Sequence, residues 1–141
     1  MMRSSLLLGL ALAAVLAAAT FCKTADPAGP SETPKDDPSL AGDIQPVFTA
    51  SCALSGCHAG GAPAGALTLV SGQSHNALVN VFSSGEPQRI RVIPGDSAGS
   101  YLIVKLEGRQ AVGSRMPPGG PLSATSLQNI KNWIAKGAQN N

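Results

Sequence analysis

The stretch "SCALSGCH", Ser51 to His58, decides how this chain is read. It sets a histidine directly after a cysteine, as a haem-attachment site does, but its cysteines are separated by four residues where the familiar C-x-x-C-H signature has two. In that signature the thiols lie at i and i+3, near one face of a helix. Here they lie at i and i+5, which on a regular helix places them about 140° apart and about 7.5 Å along the axis. A straight helix cannot aim both at one ligand, so "ALSG" has to bulge, and Ser55-Gly56 suits a bulge because glycine accepts unusual backbone angles. Three local readings stand open: a stretched haem site, a small Cys52–Cys57 disulfide loop, and a metal clip. Zinc fits least, since the mature domain offers only these two cysteines, His58 and His75 as soft ligands, at unusual spacings.

Upstream, residues 1–21 carry one basic residue, Arg3, and an uncharged apolar run from Leu6 to Phe21. They read as an export signal. Cys22 follows it, as the lipidated first residue of a bacterial lipoprotein does, although Phe21 departs from the small residue usual before such a cysteine. Residues 22–40 are rich in Pro, Asp, Ser and Thr, with no large apolar residue before Leu40, and read as a flexible tether. Residues 41–141 form the folding unit, with seven basic against four acidic residues. This scattered excess, without an aromatic stacking set, argues against nucleic acid and suits an acidic partner or an anionic cofactor.

Within that unit, "DIQPVFTASC" predicts an opening helix with Asp43 as N-cap and Pro46 in the first turn. "HNALVNVF" is a short amphipathic stretch, and "RIRVI" alternates as a strand would but lacks an evident partner. Asp96 is placed to cap "SAGSYLIVKLEG", which Gly108 ends. The firmest helix signal is "LSATSLQNIKNWIAKGA". Ser123 caps it, Leu122 and Leu127 form a hydrophobic staple, Gly137 closes it, and Leu127, Ile130, Trp133 and Ile134 share a face. Three or four short helices with long loops make a sparse core for a unit this small. Something else is expected at its centre.

Met116 bears on what that is. It is the only methionine after the leader and sits in "SRMPPGG", a rigid polar loop with no evident structural need for a long apolar side chain. An axial thioether ligand needs such placement. The combination of "DIQPVFTASC", the Cys-His pair, "RVIPGDSAGSYLIVKL", "RMPPGGPLS" and "IKNWIAKGA" resembles the cytochrome c family over residues 41–141, in particular its small, single-haem, often membrane-tethered bacterial periplasmic members. The resemblance implies an all-α, class I-like fold of three to four helices wrapped around one haem c. It implies covalent attachment through Cys52 and Cys57, with His58 and Met116 as axial iron ligands. Tyr101 and Trp133 would pack around the haem or the helix contact. Pro63 is a candidate to orient His58 through its backbone carbonyl, Arg89, Arg91 and Arg115 are candidates for the haem propionates, and His75 is the competing sixth ligand. The implied function is a periplasmic single-electron carrier or relay, possessing no open iron site for a substrate, that serves a redox partner in a respiratory or dehydrogenase complex, with a membrane tether at Cys22. Two other readings remain: a disulfide-stabilised exported lipoprotein binding module without haem, and a small peroxidase-like haem protein in which Met116 is off the iron.

Overall fold

A computed structural model describes residues 33–141; the expected leader and Cys22 lie outside them. Among the described residues the regular structure is helical, with no strands. A π-helical turn, Leu40–Ile44, runs into α1, Gln45–Ser51. A 3-10 turn, Ala64–Ala66, precedes α2, Ser74–Leu78, and the longer α3, Tyr101–Glu107, and α4, Ala124–Ala135, follow. None of these helices is long and apolar enough to cross a membrane.

The chain enters the fold earlier than its composition predicts. Lys35 donates its backbone N–H to Asn129 Oδ1 at 2.7 Å and accepts from Asn132 Nδ2 at 2.6 Å, its ammonium pairs with Asp43, and Pro38 is fully buried. Residues 35–40 are therefore docked on α4, and the expected tether to residue 40 is too long by those positions. The opening cap also differs: Ser39, not Asp43, is the N-cap, its hydroxyl accepting from Gly42 N–H. Asp43 returns the bond by accepting Ser39 N–H at 2.9 Å, a reciprocal cap stretched by one residue because the first turn is π rather than α.

α4 forms as expected. Ser123 Oγ accepts from Ser126 N–H at 3.0 Å. At the other end Ala138 N–H bonds Trp133 C=O and Gly137 N–H bonds Ile134 C=O, with Gly137 at φ 101°. That pair of bonds is a Schellman closure, and it places a left-handed residue where glycine pays no Cβ penalty. Ile130, Trp133 and Ile134 are buried against Leu40, Ile44 and Phe48, and Leu122 and Leu127 pack on the edge of the same core. The Trp133 indole N–H donates to Gln139 C=O at 2.9 Å, so the largest core side chain leaves no polar atom unmet.

α3 starts later than Asp96 predicts. Ser100 is the N-cap residue, while the Asp96 carboxylate turns the preceding loop by accepting Gly99 N–H at 2.8 Å. Gly108 ends α3 in the left-handed conformation, as expected. "RIRVI" forms no strand; it makes isolated bridges, Phe82 with Ile90 and Val79 with Val92, and hands Ile90 and Arg91 carbonyls to the first amides of α3. This bridged segment fixes the helix that supplies one wall of the site.

Candidate functional site

α1 ends at Ser51, and Cys52 leaves helical geometry at φ −128°. The chain then makes a tight excursion. Cys57 N–H bonds Leu54 C=O at 2.9 Å, and His58 N–H returns to Cys52 C=O at 3.1 Å. Leu54, Ser55 and Gly56 project into solvent, with Gly56 at φ 78°. The bulge expected of "ALSG" is thus a closed outward loop. Its base brings His58 back beside Cys52 although six positions separate them in sequence.

The imidazole is held from behind. His58 Nδ1 lies 3.1 Å from Leu67 C=O, and because a carbonyl only accepts, Nδ1 carries the proton and Nε2 keeps the lone pair in the neutral ring. The expected orienting group, Pro63 C=O, is engaged instead by Ala66 N–H at 3.0 Å. The 3-10 turn consumes that carbonyl, those of Ala64, Gly65 and Ala66 are taken by donors from Leu67, Ser84 and Arg91, and the Leu67 carbonyl takes the role. A second tie, Leu69 N–H to His58 C=O at 2.8 Å, fixes the backbone of the histidine.

Cys52 and His58 open onto a cavity of about 260 Å³. Its walls are mostly apolar: Leu67 and Leu69 beyond the 3-10 turn, Leu78 from the end of α2, and Leu102 and Leu106 from α3. Met116 lines the same cavity from the loop after α3. Its backbone N–H donates to Lys105 C=O at 3.0 Å, and Arg115 Nε donates to Leu106 C=O at 3.1 Å, so the loop is laced to the end of that helix. Residues 58 positions apart, His58 and Met116, therefore face one apolar space.

Tyr101 completes the α3 wall, with its hydroxyl donating to Glu86 Oε1 at 2.7 Å and the Arg89 guanidinium 5.6 Å from its ring centroid. Burial, reinforced by the bond to Glu86, pushes its phenol up to about 12. Burial likewise pushes the Cys52 thiol up to about 11, with Cys57 as a second cause, so the thiol is protonated at neutral pH.

The cavity carries two cations and no carboxylate among the residues lining it. Arg91, only 7% exposed, donates to the carbonyls of Ala77 and Gly65 at 2.8 and 2.9 Å. Lys105 reaches across to Ser114 C=O. Of the three arginines expected near an anionic ligand, Arg91 alone lines the cavity; Arg89 is spent on Tyr101 and Arg115 on Leu106. Lys105 escaped the sequence reading, though the 101, 102, 105, 106 spacing marks a single face of α3.

His75 is elsewhere. Its Nε2 donates to Ala138 C=O at 2.9 Å, tying α2 to the C-terminal segment, and it does not line the cavity. Cys57 is half-buried and is neither in the core nor among the lining residues; both cysteines are free thiols. Among the described residues no group of three or more His, Cys, Asp and Glu side chains converges to hold an ion on its own. Compared with protein-family models, curated proteins and solved structures, the chain matches none.

Proposed function

We propose that the protein is an exported, single-haem electron carrier or relay with a cytochrome c-like fold. The observation that carries the reading is the convergence of Cys52, His58 and Met116 on one apolar cavity, with His58 fixed in the tautomer whose Nε2 is free to bind a metal. The residues fit a haem in charge as well as polarity. Arg91 and Lys105 give the wall positive charge that two propionates would balance.

Bound there, the haem would supply a one-electron ferrous/ferric couple. The chain's own residues do the rest. Cys52 and Cys57 would hold the group covalently, and the closed spacer loop keeps their backbones together. His58 and Met116 would hold its iron, and with both ligands supplied by the chain no site would be left for a substrate, which favours electron transfer over catalysis as the function. Leu67 C=O orients the imidazole, and the lacing of residues 115–116 to α3 holds the thioether in place. Leu67, Leu69, Leu78, Leu102 and Leu106 exclude water. With the expected export signal and Cys22 tether, the carrier would work in the periplasm at a membrane and exchange its electron with a redox partner in a respiratory or dehydrogenase complex.

The test is coexpression with haem-maturation machinery followed by haem staining on a denaturing gel. Covalent haem on the exported chain is expected; an unstained, correctly exported chain overturns the proposal and favours the disulfide-stabilised binding module. In stained protein, Met116→Ala is expected to change the axial-ligand spectrum while attachment persists. An unchanged spectrum would leave the peroxidase-like reading, with Met116 off the iron.

A further inference from the structure

The carbonyl that orients His58 stands on a stretch with no regular structure of its own. Residues 67–69 belong to no helix or strand, so their path is set by whatever bonds their backbone groups. Toward the histidine, Leu67 C=O takes the His58 Nδ1 proton at 3.1 Å and Leu69 N–H donates to His58 C=O at 2.8 Å. The other hold on the stretch is a side chain: Gln45, at the start of α1, donates from Nε2 to Leu69 C=O at 2.9 Å. Gln45 is buried and its carboxamide is itself fixed. Oε1 accepts from the hydroxyl of buried Ser74, the first residue of α2, at 2.6 Å, and Nε2 also reaches Thr49 Oγ1 at 3.3 Å. Since Leu69 C=O can only accept, the amide has one orientation, and Ser74 is its donor.

Resting on the haem reading above, we infer that Gln45, set by Ser74, is a positioning residue for the axial imidazole. A buried amide costs more than an apolar side chain unless its bonds are made, and the bond a leucine could not make here is the one that holds residues 67–69 against His58. The consequence is electronic. A carbonyl on Nδ1–H makes the imidazole a more basic ligand, and a more basic ligand favours the more highly charged ferric iron. Loosening the Gln45 clamp therefore raises the midpoint potential. Plain loss of packing works in the opposite direction, because water admitted to the apolar cavity also favours the ferric state and lowers the potential.

Full-length wild type, Gln45→Leu, Ser74→Ala and Ile130→Val are coexpressed with haem-maturation machinery, exported and purified. Ile130, a core residue of α4 outside this chain of bonds, controls for lost stability. In Gln45→Leu the midpoint potential is expected to rise, and the His58 Nδ1 proton, followed by NMR in the reduced protein, to exchange with solvent faster than in wild type. Ser74→Ala is expected to show both changes in smaller measure, and Ile130→Val neither. A Gln45→Leu potential that stays or falls, an Nδ1 proton that exchanges no faster, or an equal rise in Ile130→Val overturns the inference and leaves the haem reading standing. If Gln45→Leu does not fold, Ser74→Ala decides on the same terms. A wild type without covalent haem overturns the haem reading and this inference with it.

Discussion

Replacing Gly56 isolates what the spacer loop costs. Gly56 sits at φ 78°, and a Cβ built on it would meet nothing within 4 Å, so alanine there adds backbone strain and no clash. Left-handed geometry costs an ordinary L-residue about 1–2 kcal/mol. Taking about 1 kcal/mol, a domain of about 100 residues loses about 4–8 °C in Tm. Asparagine, whose short polar side chain tolerates the left-handed region, is expected to lose less than alanine, and valine more. Gly61→Ala is the control: it also meets nothing within 4 Å, lies outside the left-handed region, and is expected to be neutral or slightly stabilising. Thermal melts of the five proteins by far-UV dichroism give the order. Equal melting of Gly56→Ala and wild type, or a larger loss for asparagine than for alanine, would refute the closed-loop geometry.

Gln45→Ala strips two buried partners at once, since its amide donates to Leu69 C=O at 2.9 Å and accepts from Ser74 Oγ at 2.6 Å; a loss of about 1–3 kcal/mol in urea unfolding is expected. Glu107 is held below its ordinary value of 4.5 by the Lys131 hydrogen bond first and the Arg109 bond second. Its contribution is therefore complete above that value and is lost as pH falls through the lowered folded value, and Glu107→Gln should flatten the acid limb of a urea-midpoint profile. His75→Ala removes the donor to Ala138 C=O, so it should cost about 1 kcal/mol in urea and, under the proposed haem function, leave the haem spectrum unmoved; a changed spectrum would make His75 the competing ligand again.

What was legible in the sequence was local. The caps and apolar face of α4, the αL end of α3 at Gly108, and the need for "ALSG" to bulge all follow from residue type and spacing within a few positions. The errors fall where a distant group decides. Lys35 reads as tether because nothing near it is apolar, yet Asn129 and Asn132, almost a hundred positions away, take its backbone. Asp43 and Asp96 are both good caps by type, but Ser39 and Ser100 hold the cap positions, and the two carboxylates, four residues away in sequence, accept the N–H of Ser39 itself and of Gly99 beside Ser100. Pro63 gave way to Leu67 as the partner of His58 because a 3-10 turn, invisible as a pattern in "GAPAGAL", spends the earlier carbonyl. A core too sparse for its length predicts something else at the centre, and the cavity is space that the apolar walls of α2 and α3 leave open. Its cations were only half anticipated, since Arg91 is buried by carbonyls of Gly65 and Ala77 that no periodicity announces.

The central claim is that His58 and Met116 meet on one metal. Iron-edge X-ray absorption on the exported, purified full chain tests it most directly. The account predicts porphyrin and imidazole nitrogens with a single thioether sulfur in the iron shell, and loss of that sulfur in Met116→Ala. A shell with no sulfur in the wild type, or an exported protein with no iron at all, would contradict it.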